Sequence, residues 1–165
     1  MLIARTRAPA GAAIPSLTLV LTFEQRSRSR LSAVLEGGEA IGLDLPRGTV
    51  LRGGDRLLTD DGRVVDVRAA DEDVMDAHCG DAATLARIAY HLGNRHAPVE
   101  VAATFVRFGA DAVLATMCTR LGARVDALRA PFEPEAGAYA AGHHAHSGEA
   151  RHAGIIHDMI ERNRK

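Results

Sequence analysis

Short apolar runs, broken by strong turn signals every eight to twelve residues, fill the first 70 positions of the chain and confine that part to β structure. Leu31-Ser32-Ala33-Val34-Leu35 alternates, Glu36-Gly37-Gly38-Glu39 turns, and Ala40-Ile41-Gly42-Leu43 returns. Pro46-Arg47-Gly48, Gly53-Gly54-Asp55 and Asp60-Asp61-Gly62 separate further runs at 49–51, 56–59 and 63–69. No window here carries a helical period of useful length, so a small sandwich or barrel-like β domain is expected. Arg26, Arg28 and Arg30, alternating with Ser27 and Ser29, read as a solvated loop that could at most dock an acidic protein surface.

The pattern changes after Ala70, where Asp71-Glu72-Asp73 reads as a hinge. Asp81 can cap a helix with Leu85, Ile88, Ala89 and Leu92 on one face, and Gly93 suits its left-handed stop. Asp111 likewise precedes Val113, Leu114, Met117, Cys118 and Leu121, with Gly122 as the stop. Strand candidates near 73–78, 98–102, 104–108 and 124–129 complete a βαββαβ order, the ferredoxin-like arrangement. Pro131-Phe132-Glu133-Pro134-Glu135-Ala136-Gly137-Ala138-Tyr139 holds two prolines and no usable period, so it reads as an extended connector. Residues 140–154 have little to bury and are expected to be disordered without a ligand, and Ile155 to Ile160 could form one helical turn. The expectation is an α+β chain: an all-β domain at 1–72, a ferredoxin-like domain at 73–139 and a flexible His-containing tail at 140–165.

Composition removes several function classes. Lys and Arg total 20 against 21 Asp and Glu, a net charge of −1, which argues against a protein that neutralises nucleic-acid phosphates or coats a membrane. Aromatics make up 4% with no Trp, so the core must be aliphatic and stacking platforms are unexpected. Cys79 and Cys118 form no CxxC pairing, which points to a reducing cytosol. Arg5 and Arg7 before an apolar stretch resemble the start of a secretory signal. Pro9 and Pro15 break that stretch, however, and Leu17 to Phe23 reads better as a first strand. No apolar run approaches the roughly 20 residues of a membrane span. The motifs GxGxxG, GxxxxGK[ST], HExxH, GxSxG and CxxC are all missing.

What remains is histidine. Five of the eight fall within the last 23 residues, and Gly142-His143-His144-Ala145-His146 offers three imidazoles on one short stretch. Imidazole nitrogen suits nickel, copper and zinc, and interspersed His differ from a run of six used as a tag. His96 follows the first helix after only Asn94 and Arg95, so it would be a fixed ligand to the tail's mobile ones. One fixed His is a weak site, although a twofold dimer with His96 near its axis would double it. From the residues alone, an ordinary hydrogen-bonded turn is the simpler reading of His96. His91 reads as packed within its helix, and His78 and Cys79, as strand neighbours, point to opposite faces.

Tyr90-His91-Leu92-Gly93-Asn94-Arg95-His96 resembles the signature of UreE, the urease accessory nickel metallochaperone family. Leu43-Asp44-Leu45-Pro46-Arg47-Gly48, Leu51-Arg52-Gly53-Gly54-Asp55, Asp61-Gly62 and the block from Pro131 to Tyr139 follow in that family's order, ahead of a His-bearing tail. The resemblance implies an N-terminal β domain that docks partners and a C-terminal domain that forms a homodimer with nickel at its interface. It makes His96 of both protomers the shared ligand, with His144 and His146 as the tail's His-x-His pair and His143 as an alternative. It further implies no enzymatic step, a cytoplasmic protein, and delivery of Ni(II) to the urease apoprotein complex through an accessory GTPase. Zn(II) or Cu(II) should substitute in vitro, and affinity should fall as pH drops through the His range, about 6 to 7. Gly109-Ala110-Asp111-Ala112 lacks the additional His of some members, and the tail is sparse, so fewer nickel ions and less storage are expected. The competing readings are a zinc-dependent hydrolase using His96 and tail His, and a protein-interaction module in which the His are incidental.

Overall fold

The computed structural model describes residues 1–12, 15 and 17–136, and Met1–Glu135 form one compact unit. The expectations for the tail at 140–165 and for residues 137–139 lie outside the described residues.

The N-terminal part is a six-stranded sheet built from β1 (Leu2–Arg7), β2 (Leu17–Leu21), β3 (Arg30–Val34), β4 (Ala40–Asp44), β5 (Arg56–Thr59) and β6 (Val64–Ala69). Its order is β2-β6-β5-β1-β4-β3, with β1–β4 and β2–β6 parallel and the other pairs antiparallel. The Glu36 N–H donates to the Thr18 carbonyl at 3.0 Å, drawing the β2 and β3 edges together so that the sheet nearly closes. Strand alternation turns Leu19, Leu21, Ile41, Leu57, Val65 and Val67 into a dry aliphatic core, each worth about 1.5–3 kcal/mol of burial. The Leu17 run is the second strand, not the first. Leu2–Arg7 precedes it and lies centrally in the sheet, where Leu2 and Ala4 face the core.

One helical turn interrupts the β region, α1 (Phe23–Arg26). Its cause is a capping box: Thr22 Oγ1 accepts from the Gln25 N–H at 3.3 Å and Gln25 Oε1 accepts from the Thr22 N–H at 3.0 Å.

The second part consists of β7 (Asp71–His78), α2 (Ala82–Gly93), β8 (Val99–Val101), β9 (Phe105–Gly109), α3 (Ala112–Arg120) and β10 (Arg124–Pro131). The sheet order β10-β7-β9-β8, antiparallel throughout, is the ferredoxin-like topology expected. Ile88 and Leu92 of α2 and Cys118 of α3 pack with Ala77, Val106 and Phe108 of the sheet. Asp81 and Asp111 cap the helices as expected, and Gly122 takes φ +101° after the second.

Two expectations are corrected here. Asp71-Glu72-Asp73 is not a hinge: all three residues pair with β10, and only Ala70 separates β6 from β7. Glu72 also accepts the Phe23 N–H at 2.6 Å, so the acidic stretch joins the two sheets. Pro131 to Glu135 is likewise no free connector. Pro131 ends β10, Phe132 is buried against the Phe23 ring at 5.8 Å, and Pro134 is buried.

Candidate metal centre

α2 aims its C-terminal turn at solvent. Asp81 fixes the helix start, its carboxylate accepting from the Thr84 N–H at 2.9 Å and the Thr84 hydroxyl at 2.7 Å. At the other end the expected glycine stop does not occur. Gly93 is still helical, and the chain continues through Asn94 and Arg95 to His96, whose φ is +54°. The His96 N–H donates to the Gly93 carbonyl at 2.9 Å and the Ala97 N–H to the Leu92 carbonyl at 3.3 Å. That pair of bonds is a Schellman closure, with His96 in the left-handed seat that glycine ordinarily fills. Pro98 follows, so the helix cannot resume. The Arg95 guanidinium adds a bond to the His91 carbonyl at 3.1 Å. His96 is thus an exposed imidazole on a backbone held by the helix, as a fixed ligand would require.

The other sequence candidates disperse. His78 lies at the end of β7 with Nε2 3.4 Å from an Asp126 oxygen, and His91 is half-buried with its ring 5.4 Å from Tyr90. Cys79 is half-buried and its thiol is pushed up, chiefly by burial and then by Asp81. His143, His144 and His146 lie outside the described residues. Among the described residues no three His, Cys, Asp or Glu side chains converge as a metal site. His96 by itself supplies one nitrogen, too few to hold a divalent ion.

A second cluster escaped the sequence reading. Arg26, assigned there to a solvated loop, is fully buried. Its guanidinium donates to the carbonyls of Leu21 and Leu51 at 3.3 and 3.2 Å, and to that of Phe132, and its Nη1 lies 2.9 Å from Glu133 Oε2. The same carboxylate meets Arg52 Nη1 at 3.3 Å and accepts the Gly53 N–H at 2.8 Å. Gly53 suits this approach, since a Cβ there would stand 2.9 Å from Glu133 Oε1 and the carboxylate would have to shift.

From Pro131 to Glu135 every residue is tied through its backbone. The Pro131, Phe132 and Pro134 carbonyls accept from Arg107, Arg26 and Arg52. The Glu133 N–H donates to Glu100 at 2.9 Å, and the Glu135 N–H to the Val99 carbonyl at 2.7 Å. This strap therefore crosses from the first sheet to the outer edge of β8 and ends beside Val99, three residues beyond His96. The sequence signals for it were the proline-flanked Phe132-Glu133 and the family-like order of the block from Pro131 to Tyr139.

A nearly closed β domain strapped to a ferredoxin-like domain, with one exposed imidazole on a backbone locked by the helix end, defines a two-domain α+β protein. Residues 2–70 match the family described as UreE urease accessory protein, N-terminal domain, and residues 72–159 match its C-terminal domain. The chain belongs to the UreE urease accessory protein family, a family of accessory proteins and not of enzymes. Urease accessory protein UreE of Burkholderia thailandensis is 56% identical over 130 residues, covering 78% of this chain and 61% of that protein. The namesake from Paraburkholderia xenovorans is 55% identical over 78% of this chain and 58% of its own length, and that from Cupriavidus necator 55% over 78% and 67%. The matched region is thus about three fifths of the first two relatives.

Proposed function

We propose that this chain is a nickel-binding metallochaperone that delivers Ni(II) to the urease apoprotein maturation complex. The observation that carries the reading is the convergence of two features on one edge: His96 locked outward in its turn, and the strap ending at Val99. The chain that leaves Glu135 enters the segment bearing His143, His144 and His146 from beside the strand that His96 precedes. Those tail imidazoles lie eight to eleven residues on, a reach of up to about 25–40 Å at 3.3–3.6 Å per residue.

One imidazole per chain calls for a second copy. A homodimer with its twofold axis near His96 pairs two such ligands. The surface beside that turn suits self-association, because Tyr90 and Val113 are 64% and 76% exposed and an open groove of about 580 Å³ lined by Arg95, Val113, Met117 and Leu121 adjoins it. In this reading residues 1–72 dock partners, 73–139 dimerise and hold metal, and 140–165 carry the further His ligands. The partners are the accessory GTPase and the urease apoprotein, in the cytoplasm. Among the described residues no helix is long and apolar enough to cross a membrane.

Neutral imidazoles bind nickel without the permanence of thiolates, so a site shared between His96 and the tail His opens ligand by ligand as a recipient offers its own. Capture, holding and release are the whole task. Zn(II) and Cu(II) occupy the same nitrogens in vitro. The test is nickel titration calorimetry with light scattering on wild type, His96→Ala and the triple variant His143→Ala/His144→Ala/His146→Ala. Weaker binding in both variants is expected; unchanged stoichiometry and affinity in both would sink the site.

A further inference from the structure

Arg95 stands between α2 and the imidazole, and its side chain turns back onto the helix it has just left. The last carbonyls of a helix have no backbone donor four residues on, so each needs another partner. At the end of α2 the Tyr90 carbonyl accepts the Asn94 N–H at 3.0 Å, and the Gly93 carbonyl accepts the His96 N–H at 2.9 Å. The Leu92 carbonyl accepts both the Arg95 N–H at 3.0 Å and the Ala97 N–H at 3.3 Å. The Arg95 N–H has thus moved forward to Leu92, and the His91 carbonyl has lost the donor that a continuing α-helix would supply. Arg95 Nη1 takes its place at 3.1 Å. A guanidinium keeps its charge at every working pH, and a cation is favoured at the negative end of a helix.

We propose that Arg95 is a positioning residue for metal binding: by capping the His91 carbonyl it keeps the last turn of α2 closed and the His96 imidazole in its outward seat before any ion arrives. This rests on the reading of His96 as a nickel ligand. The seat needs such support, because φ of +54° is unfavourable for a residue with a Cβ and the Ala97–Leu92 bond that closes the turn is long. A ligand already held in place loses less freedom on coordination, so loosening the turn weakens the ion without removing a donor atom. Arg95 also lines the open groove with Met117 and Leu121, and a replacement that keeps its aliphatic stem isolates the work of the head.

The test joins backbone relaxation measurements on the metal-free full chain to a double-mutant cycle in nickel affinity, read by calorimetry. Arg95→Met removes the head and keeps the stem, whereas Arg95→Lys keeps a charged donor. In Arg95→Met the order parameter of the His96 amide should fall from about 0.85, the rigid-backbone value, to below about 0.7, with Ile88 in the helix interior unmoved. Nickel should bind about two- to tenfold more weakly, and Arg95→Lys should restore most of both losses. Added to His96→Ala, Arg95→Met should cost no further affinity. An unchanged order parameter at His96, a nickel loss of equal size in the His96→Ala background, or wild-type or tighter binding in Arg95→Met overturns the proposal. Failure of the underlying reading shows separately, as a His96→Ala variant that binds nickel like wild type before Arg95 is touched.

Discussion

The His96 amide donates to the Gly93 carbonyl at 2.9 Å while His96 holds φ at +54°, so the imidazole proposed to bind nickel stands where a helix end ordinarily carries glycine. A side chain in the left-handed region costs about 1–2 kcal/mol, less for histidine than for a branched residue. Relief of that strain exceeds the extra unfolded-state entropy of glycine. His96→Gly should therefore raise stability by about 0.5–1 kcal/mol in urea denaturation while weakening nickel binding as His96→Ala does. His96→Asn should keep the turn and weaken the metal to the same degree. A loss of stability in His96→Gly would show that the imidazole packs the fold.

Arg26 provides the next prediction. Arg26→Leu removes a buried cation but strands the carbonyls of Leu51 and Phe132, takes one of two donors from the Leu21 carbonyl, and leaves Glu133 to Arg52 and the Gly53 amide. A loss of about 3–5 kcal/mol is expected in chemical denaturation. Arg26→Lys should lose about half of that, because one ammonium cannot span acceptors placed for a planar fork. Retention of wild-type stability in Arg26→Leu would mean that apolar packing alone closes the joint.

How much of this was legible depended on whether a residue's partners were local. Asp81 and Asp111 announced their helices because a cap acts within three residues, and the period that follows is its own confirmation. Thr22 and Gln25 carried a capping box in plain view, masked by the β pattern on both sides of α1. Arg26 was illegible because its partners stand 5, 25 and 106 positions away, and no local rule tells a buried guanidinium from a solvated one. Asp71 to Asp73 looked like a hinge for the same reason: the β10 pairing that makes it a strand lies nearly 60 residues on. His96 stood out through family likeness. Its left-handed backbone, the physical reason it is special, follows from the Ala97–Leu92 closure and could not be read from the nearby glycine.

The two thiols should react in sequence. Cys118 is fully buried and its pKa is pushed up to about 11, first by burial. Cys79 is half-buried and raised more mildly, by burial and then by Asp81. At pH 8 a disulfide reagent should label Cys79 slowly and Cys118 only on unfolding. The folded Cys118 keeps a proton that the unfolded chain releases near 9.0, so stability should fall as pH rises from about 9 to about 11. Cys118→Ala should flatten that decline, and rapid labelling of both thiols in the native protein would contradict the burial.

The acid side is set partly by the cap of the helix that bears His96. The Asp81 carboxyl is held below its ordinary 3.8, first by the Thr84 hydroxyl, then by the Thr84 N–H. A carboxylate depressed on folding stabilises fully above the unfolded value and loses that contribution as pH falls through the folded one. Helix α2 and its terminal turn should therefore loosen below about pH 4, visible as faster amide exchange at His96 and Ala97. Glu39, lowered first by the bond from Arg63, and Asp61, lowered first by the Thr59 hydroxyl and further by Arg63, add to the same decline in the first sheet. Asp81→Asn separates capping from titration, since its amide oxygen still accepts from Thr84 but cannot be protonated in this range. It should match wild type near pH 7 and show a shallower loss between pH 4 and 3 by circular dichroism. An acid transition identical to wild type in Asp81→Asn would remove this carboxylate from the account.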